Sequence, residues 1–136
     1  MQLNKKYKLN DCKVKVKRSY AGLGLFAMEP IKKGTCIIEY IGRVISKEEE
    51  YKSKSLYLFE INSRKTIDGR ARSNIARYVN HSCKPNVEPE IYKGRVFYMA
   101  KKNIKEGEEL TFDYGKEYFN EHIKPKGCRC VKCKTS

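Results

Sequence analysis

The sequence of 136 residues has no long apolar run, and this absence argues against a membrane-spanning helix. No stretch approaches the roughly 20 apolar residues that cross a bilayer. The early lysines Lys5 and Lys6 are not followed by an apolar block either, so no secretory signal is seen. We therefore expect an intracellular protein with no membrane partner. In that reducing setting, six cysteines favour a metal site or free thiols over disulfides.

The chain also has no room for the long helices of βαβ crossovers, and instead contains many short β-prone runs. A capping-box pattern at Ser46–Glu49 predicts a helix to about Lys52, and Ser73 is predicted to cap another through Val79. A last helix is predicted at 116–123. Strands are predicted at 12–17, 25–28, 36–41, 56–61, 66–68, 87–91, 95–100 and 110–114. The predicted fold class is mostly β, with two or three short helices.

Positive charge is concentrated at the two ends of the chain. Residues 1–20 carry +6 and residues 116–136 carry +4 of the net charge of +14. Such ends favour contact with an acidic partner such as nucleic acid. A solvated, solubilising surface is the alternative, and the single lysines without interleaved aromatics slightly favour it.

One short pattern occurs twice. Ala27, Ile31 and Gly34 recur with the same spacing as Ala100, Ile104 and Gly107. We interpret this similarity as one strand-turn-strand shape used twice.

The segment Gly22-Leu23-Gly24-Leu25-Phe26-Ala27 matches the dinucleotide-binding pattern G-x-G-x-x-A. However, Pro30 and Gly34 leave no space for the helix that this pattern needs, so we reject a Rossmann site. What remains is a glycine turn whose backbone can adopt positive φ and approach a ligand closely. A tight hairpin without a ligand explains the turn equally well.

The residues that suggest chemistry lie in a polar segment and in the C-terminal tail. Asn80, His81 and Cys83 fall within Arg77–Asn86, which is poor core material because buried amide and imidazole groups need partners. Three thiols lie within the six residues 128–133, one ligand short of a tetrahedral zinc site. Cys83 is the best fourth candidate, and His122 is the rival.

Cys12 and Cys36 fall in strand patterns and are predicted to be buried thiols. An unstructured thiol tail is the alternative to zinc. If zinc does join the tail to Cys83, the tail folds over the polar segment and forms one wall of a pocket beside Asn80 and His81.

These segments, taken in order, resemble a SET-domain protein-lysine methyltransferase. Asn80-His81-Ser82-Cys83 with Pro85-Asn86, and the segment from Glu109 to Gly115, look like the two signature segments of that family. Gly22-Leu23-Gly24 resembles its first cofactor loop, and the cysteine tail resembles its zinc-binding post-SET region. The similarity covers roughly residues 12–133.

The resemblance implies several small twisted sheets and a knot-like C-terminal crossing of the signature segments. It divides the chain into a basic extension (1–11), a SET domain (12–115) and a post-SET zinc tail (116–136), without a Cys-rich pre-SET region. Two features depart from the family pattern. Arg43 follows Tyr40-x-Gly42 where an acid is frequent, and the tail is C-x-C-x2-C instead of the longer C-x-C-x4-C.

The resemblance also implies roles for individual residues. Tyr114 is the implied catalytic residue, and Phe112 matches the position where Phe or Tyr tunes the number of methyl groups added, so we expect di- or trimethylation. The implied S-adenosylmethionine-binding residues are Gly22, Leu23, Gly24, Tyr57, Asn80, His81 and Tyr114. The implied substrate channel is Tyr57, Phe112 and Tyr114. The implied ligands of one structural zinc ion are Cys83, Cys128, Cys130 and Cys133.

The expected function is therefore methyl transfer to lysine in a protein, with a basic protein such as a histone or ribosomal protein as substrate and the enzyme as a monomer. His81 is not expected to act as a general base. One alternative is a non-catalytic basic module, stapled by zinc, that binds nucleic acid or chromatin. A Cys83–His81 hydrolase is disfavoured because no acid or oxyanion pattern accompanies the pair.

Overall fold

The computed structural model describes residues 7–10, 12–19, 22–55 and 57–114. Within them lie ten strands, one α-helix and one 3-10 helix, so the mostly β fold class is confirmed. The strands are β1 Val14–Ser19, β2 Gly22–Ala27, β3 Cys36–Tyr40, β4 Arg43–Ser46, β5 Leu58–Glu60, β6 Lys65–Asp68, β7 Asn80–His81, β8 Val87–Tyr92, β9 Arg95–Ala100 and β10 Glu109–Phe112. The helix α1 is Lys47–Lys52, and the 3-10 helix is Ile75–Tyr78.

The strands form three small sheets with the orders β1-β2-β10-β7, β3-β9-β8 and β4-β6-β5. In the first sheet β10 is antiparallel to β2 and parallel to β7. Thr111 lies opposite Asn80, and Phe112 lies opposite His81. The two signature segments are therefore direct neighbours, beside the strand that contains the glycines.

The central strand β9 is buried on both of its faces. Successive side chains of a strand point to opposite faces. Val96 and Tyr98 accordingly pack in the main core, whereas Phe97 and Met99 pack on the other side with Cys36. Tyr7 and Tyr92 cover that second cluster, and we call Tyr7, Tyr92 and Phe97 the far-face cluster.

The repeated sequence pattern corresponds to a repeated shape. Ile31 and Ile104 pair through two backbone hydrogen bonds of 2.9 and 2.8 Å. Gly34 and Gly107 end the two turns with φ of 89° and 90°, and each donates its N–H to the alanine that opens the other copy. The interpretation as one shape used twice is confirmed, and the two copies pair with each other.

The predicted helix after Ser46 is confirmed, because the Ser46 hydroxyl accepts the backbone N–H of Glu49 at 3.2 Å. The predicted Ser73 cap is wrong. The 3-10 helix starts at Ile75 after Asn74, which makes no side-chain cap. The Asn74 amide instead accepts from the Ile41 N–H and donates to the Gly69 carbonyl, both at 3.0 Å. A buried amide with these two partners is not available to cap a helix.

The predicted glycine turn is also corrected. Gly22 and Gly24 are residues of β2, which begins at Gly22 opposite Ser19 of β1. Gly22 has a φ of 103°, so the positive φ expected of this segment is found at its first residue. The predicted helix at 116–123 and the cysteine tail lie outside the described residues. None of the helices that the structure describes has the length and apolar character needed to cross a membrane.

Candidate active site

A cavity of about 1240 Å³ opens where the first sheet meets the 3-10 helix and β5. Small-molecule sites typically have roughly 300–1,000 Å³, so this cavity has room for a cofactor together with a substrate side chain. Five residues expected at the site line it: Leu23, Tyr57, Asn80, Phe112 and Tyr114. The fold thus brings together residues that lie up to 91 positions apart in the chain.

Tyr114 is held at this cavity by two hydrogen bonds. Its hydroxyl donates to the carbonyl of Val79 at 2.6 Å, and its backbone N–H donates to Nδ1 of His81 at 3.1 Å. The two rings meet edge to face with centroids 5.4 Å apart. Because the hydroxyl proton is donated to Val79, the oxygen acts as an acceptor toward any further group.

His81 contacts Tyr114 but does not itself line the cavity. Its side chain is 6% exposed, and burial lowers the pKa of His81 although the Asp113 carboxylate, 3.8 Å away, opposes the shift. Nδ1 accepts the Tyr114 N–H, so the neutral ring carries its proton on Nε2, 3.5 Å from Sγ of Cys83. A direct cofactor contact of His81 stays a prediction.

Asn80 connects the two signature segments to the glycine strand. Its Nδ2 donates to the carbonyl of Leu23 and to Oε2 of Glu109, both at 2.8 Å. The other carboxylate oxygen of Glu109 accepts the Ser19 hydroxyl at 2.7 Å. Glu109 therefore joins β1, β7 and β10, a role that could not be assigned from the sequence.

Gly24 is required here by packing. A Cβ at this position would lie 2.3 Å from Oε2 of Glu109 and 3.0 Å from Cβ of Ser19. The close backbone approach that the glycines predicted is therefore an approach to Glu109. Leu23, which is 49% exposed and lines the cavity, is the residue of this segment placed to meet a ligand.

A row of four aromatic rings forms one side of the cavity, and we call it the aromatic wall: Tyr40, Tyr98, Phe112 and Tyr114. Neighbouring ring centroids along it are 6.0, 5.2 and 4.6 Å apart. The hydroxyl of Tyr40 donates to the carbonyl of Tyr57 at 2.7 Å. Phe112 and Tyr114 were expected here, whereas Tyr40 and Tyr98 were missed because nothing in the sequence separates them from core tyrosines.

Arg77 is a further residue that sequence reasoning missed. Its guanidinium lies 4.6 Å from the ring centroid of Tyr57 and 4.7 Å from that of Tyr78. It donates to the Tyr78 hydroxyl at 2.8 Å and to the carbonyl of Arg70. Its buried Nε has no hydrogen-bond partner within the described residues. Stacking on a cation orients Tyr57 at the cavity edge.

Of the four predicted zinc ligands, only Cys83 lies within the described residues. Those residues contain no cluster of three His, Cys, Asp or Glu side chains that could hold a metal. The zinc site therefore stays a prediction. Cys36 is 1% exposed, as expected of a buried thiol, and burial raises its pKa to about 11. Cys12 is partly buried against the main core.

The family profile described as "SET domain" matches residues 22–115. The chain belongs to the SET-domain family. This SET domain is 39% identical over 126 residues to Drosophila melanogaster histone-lysine N-methyltransferase trr, covering 83% of this chain and 5% of that protein. It is 41% identical over 105 residues to the Schizosaccharomyces pombe "Histone-lysine N-methyltransferase, H3 lysine-4 specific", covering 68% and 11%.

A solved structure shares the fold of this SET domain. It is a humanized mutant of the Chaetomium thermophilum Polycomb Repressive Complex 2 bound to the inhibitor GSK126, with a TM-score of 0.70 and 36% identity. The match covers 76% of this chain and 15% of that one. The expected SET-domain fold of several small sheets is confirmed. The chain spans only a small fraction of the length of these relatives.

Proposed function

We propose that this SET domain transfers methyl groups from S-adenosylmethionine to the ε-amino group of lysine in a protein. The observation that carries the proposal is the placement of Tyr114, whose hydroxyl and backbone are both fixed at a cavity shared with Leu23 and Asn80. The curated relatives named histone-lysine N-methyltransferases support this chemistry.

The residues around the cavity fit the methyl donor. Leu23 and Asn80 lie on adjoining segments tied by the 2.8 Å hydrogen bond, and they would hold the adenosine and amino-acid portions together with the backbone of Gly22 and Gly24. Tyr57, stacked on Arg77, would close the opposite side. When bound, S-adenosylmethionine supplies an electrophilic methyl group and a positive sulfonium that disfavours a second cation nearby.

The aromatic residues of the proposed substrate channel act on the protonation state of the substrate lysine. A free lysine with a pKa near 10.4 is neutral about once in two thousand molecules at pH 7, a deficit of roughly 4–5 kcal/mol. Burial between Tyr57, Phe112 and Tyr114 disfavours the ammonium form. The Tyr114 oxygen, whose own proton is donated to Val79, accepts an N–H of the amine and orients the lone pair. Aromatic walls also suit methylammonium products.

We assign no residue of the wall as a general base. His81 lies behind Tyr114, and its Nδ1 lone pair already accepts the Tyr114 N–H. The amine proton therefore leaves to solvent before the amine is enclosed. This arrangement predicts that rate follows the fraction of neutral lysine and not the titration of an imidazole.

A basic protein, such as a histone or a ribosomal protein, is the substrate we propose, in line with the relatives named histone-lysine N-methyltransferases. Three carboxylates line the cavity, those of Glu50, Glu60 and Asp113, beside the guanidinium groups of Arg72 and Arg77. Phe112, which leaves more room than tyrosine, favours di- or trimethylation. We further propose that the protein is intracellular and monomeric. One zinc ion would be held by Cys83, Cys128, Cys130 and Cys133. The basic termini would contact nucleic acid or chromatin weakly. These termini lie largely outside the described residues.

The test is incubation of the purified protein with S-adenosylmethionine and recombinant core histones, followed by intact-mass analysis. Mass steps of one methylene on a histone support the proposal. The non-catalytic alternative predicts no such steps and no heat on calorimetric titration with S-adenosylmethionine, and that pair of results would overturn methyl transfer.

A further inference from the structure

The repeated strand-turn-strand shape is a feature that the proposed function leaves unexplained. Its two turns are joined to each other at both ends. At one end, Ile31 and Ile104 exchange two backbone hydrogen bonds. At the other end, the N–H of Gly34 donates to the carbonyl of Ala100 at 2.8 Å. The residues between these two pairs therefore lie side by side.

Four lysines lie between these pairs, and we call them the paired-turn surface: Lys32, Lys33, Lys101 and Lys102. All four are exposed. In an antiparallel pairing the residues after Ile31 lie beside the residues before Ile104, so the two lysines of one turn lie beside the two of the other. The N–H of Lys33 also donates to Oδ1 of Asn103 at 2.9 Å, which holds the turns together.

The positive charge of this surface is not compensated locally. No Asp or Glu occurs in 31–35 or in 100–104. Within the described part of the chain, none of the four lysines forms an ion pair. Of the glutamates that flank the turns, Glu29 and Glu108 accept backbone N–H groups. Because like charges placed side by side repel each other, this arrangement is unfavourable until an anion binds.

The composition of the two turns limits the kind of anion. Ile31 and Ile104 are only 3% and 2% exposed, so neither can act as the apolar anchor that protein interfaces use. Neither turn contains an aromatic residue on which the bases of a single strand could stack. Lysine is a point charge that contacts phosphate without reading bases.

We propose that the paired-turn surface binds the phosphate backbone of double-stranded DNA without reading its sequence. Duplex DNA carries one negative charge per roughly 1.7 Å of its axis, and each lysine that neutralises a phosphate releases counterions. None of the four lysines lines the cavity, so this contact is separate from the site of the proposed methyl transfer. It is also separate from the basic termini, because all four lysines lie within the described residues 22–55 and 57–114.

The test compares wild type with two variants that each lose four positive charges. The surface variant replaces the four lysines of the paired-turn surface by glutamine. The control replaces four other exposed basic residues by glutamine: Lys52, Lys54, Arg64 and Lys65. Fluorescence anisotropy with a labelled random-sequence duplex of about 30 base pairs gives the Kd of each protein from about 50 to 200 mM salt.

The surface variant is expected to lose both affinity and salt dependence. The slope of log K against log salt should become less steep by about 0.9 for each lysine that contacts a phosphate, and so by up to about 3.6. At about 100 mM salt the affinity should fall about tenfold or more, with a much smaller loss in the control. The thermal midpoint of the surface variant should not fall, because the replaced side chains repel each other.

A slope change below about 1 in the surface variant, or an equal loss of affinity in the control, would overturn the inference, since binding would then follow net charge or the termini. A Glu-rich peptide of equal charge that binds wild type as tightly as the duplex, and is lost equally in the surface variant, would instead identify an acidic protein as the partner and also overturn it. Methyl transfer to free core histones should be the same in all three proteins, so a failure of the proposed function is detected separately.

Discussion

The aromatic wall and the far-face cluster lie on opposite sides of the same strand, and they differ in what their hydroxyl groups contact. Phe97 and Tyr98 are neighbours in β9, but Phe97 packs with Tyr7 whereas Tyr98 lines the cavity. In the far-face cluster, Tyr7 stacks on Tyr92 at 4.6 Å and donates to Glu90 at 2.9 Å. The comparison shows that the alternation of side chains in one strand separates aromatic residues of the far-face cluster from aromatic residues that line the cavity.

The largest expected effect is on stability and comes from a substitution in the far-face cluster. Phe97 is fully buried, so Phe97→Ala should lower the free energy of unfolding by about 3–5 kcal/mol through lost burial and a cavity. Urea denaturation measures this loss. Tyr51→Ala is the control, because Tyr51 is 92% exposed and its replacement should change stability by less than about 0.5 kcal/mol. A loss below about 1 kcal/mol for Phe97→Ala would show that the far-face cluster is not structural.

The next largest effect is expected on the rate of methyl transfer when one hydroxyl group of the aromatic wall is removed. Tyr114→Phe deletes the hydroxyl that is fixed by Val79, so the rate of methyl transfer should fall by about 10²- to 10³-fold while the fold is retained. Single-turnover transfer to core histones measures the rate, with Tyr92→Phe as the matched deletion on the far face. Full activity in Tyr114→Phe would remove this tyrosine from the mechanism.

A smaller effect is expected at the edge of the cavity. Asn80→Ala removes both 2.8 Å hydrogen bonds, to Leu23 and to Glu109, and leaves the glycine strand less well positioned. The affinity for S-adenosylmethionine should fall about tenfold by calorimetry. Asn62→Ala, in the turn before β6, is the control that should bind like wild type. Equal affinities for all three proteins would separate Asn80 from cofactor binding.

The smallest expected effect is a pH dependence of stability that arises from Cys36, on the far face of β9. Burial raises the pKa of Cys36 to about 11 from its ordinary value of 9.0, so the thiol of the unfolded chain ionises first as the pH rises. The contribution of the Cys36 thiol to the free energy of unfolding is therefore fully present below pH 9, and it is lost as the pH rises toward 11. Urea midpoints of wild type should therefore fall more steeply over this range than those of Cys36→Val. Parallel curves would contradict the assignment.

Much of this arrangement could be predicted from the sequence because its signals are local. The signature segments, the strand runs and the Ser46 cap depend on neighbouring residues, and the structure contains the corresponding elements. The segment Arg95–Ala100 shows the limit. Five consecutive buried residues have no polar alternation, so the sequence cannot tell which face receives Phe97 and which receives Tyr98.

The remaining misses depend on contacts between distant segments. Glu109 was one acid of a signature segment until the fold placed Ser19 and Asn80 against its two oxygens. The 3-10 helix follows Asn74 and not Ser73, and the Asn74 amide bonds Ile41 and Gly69. Such pairings are fixed by tertiary structure, and local propensity does not contain them.

The central claim is that the cavity beside the aromatic wall, and not the far face, receives the methyl donor. An NMR titration of the backbone amides with S-adenosylmethionine tests it most directly. We predict saturable shifts at Leu23, Asn80 and Tyr114 and none at Tyr92 or Phe97. Shifts confined to the far face, or no saturable shift at the cavity, would contradict the account.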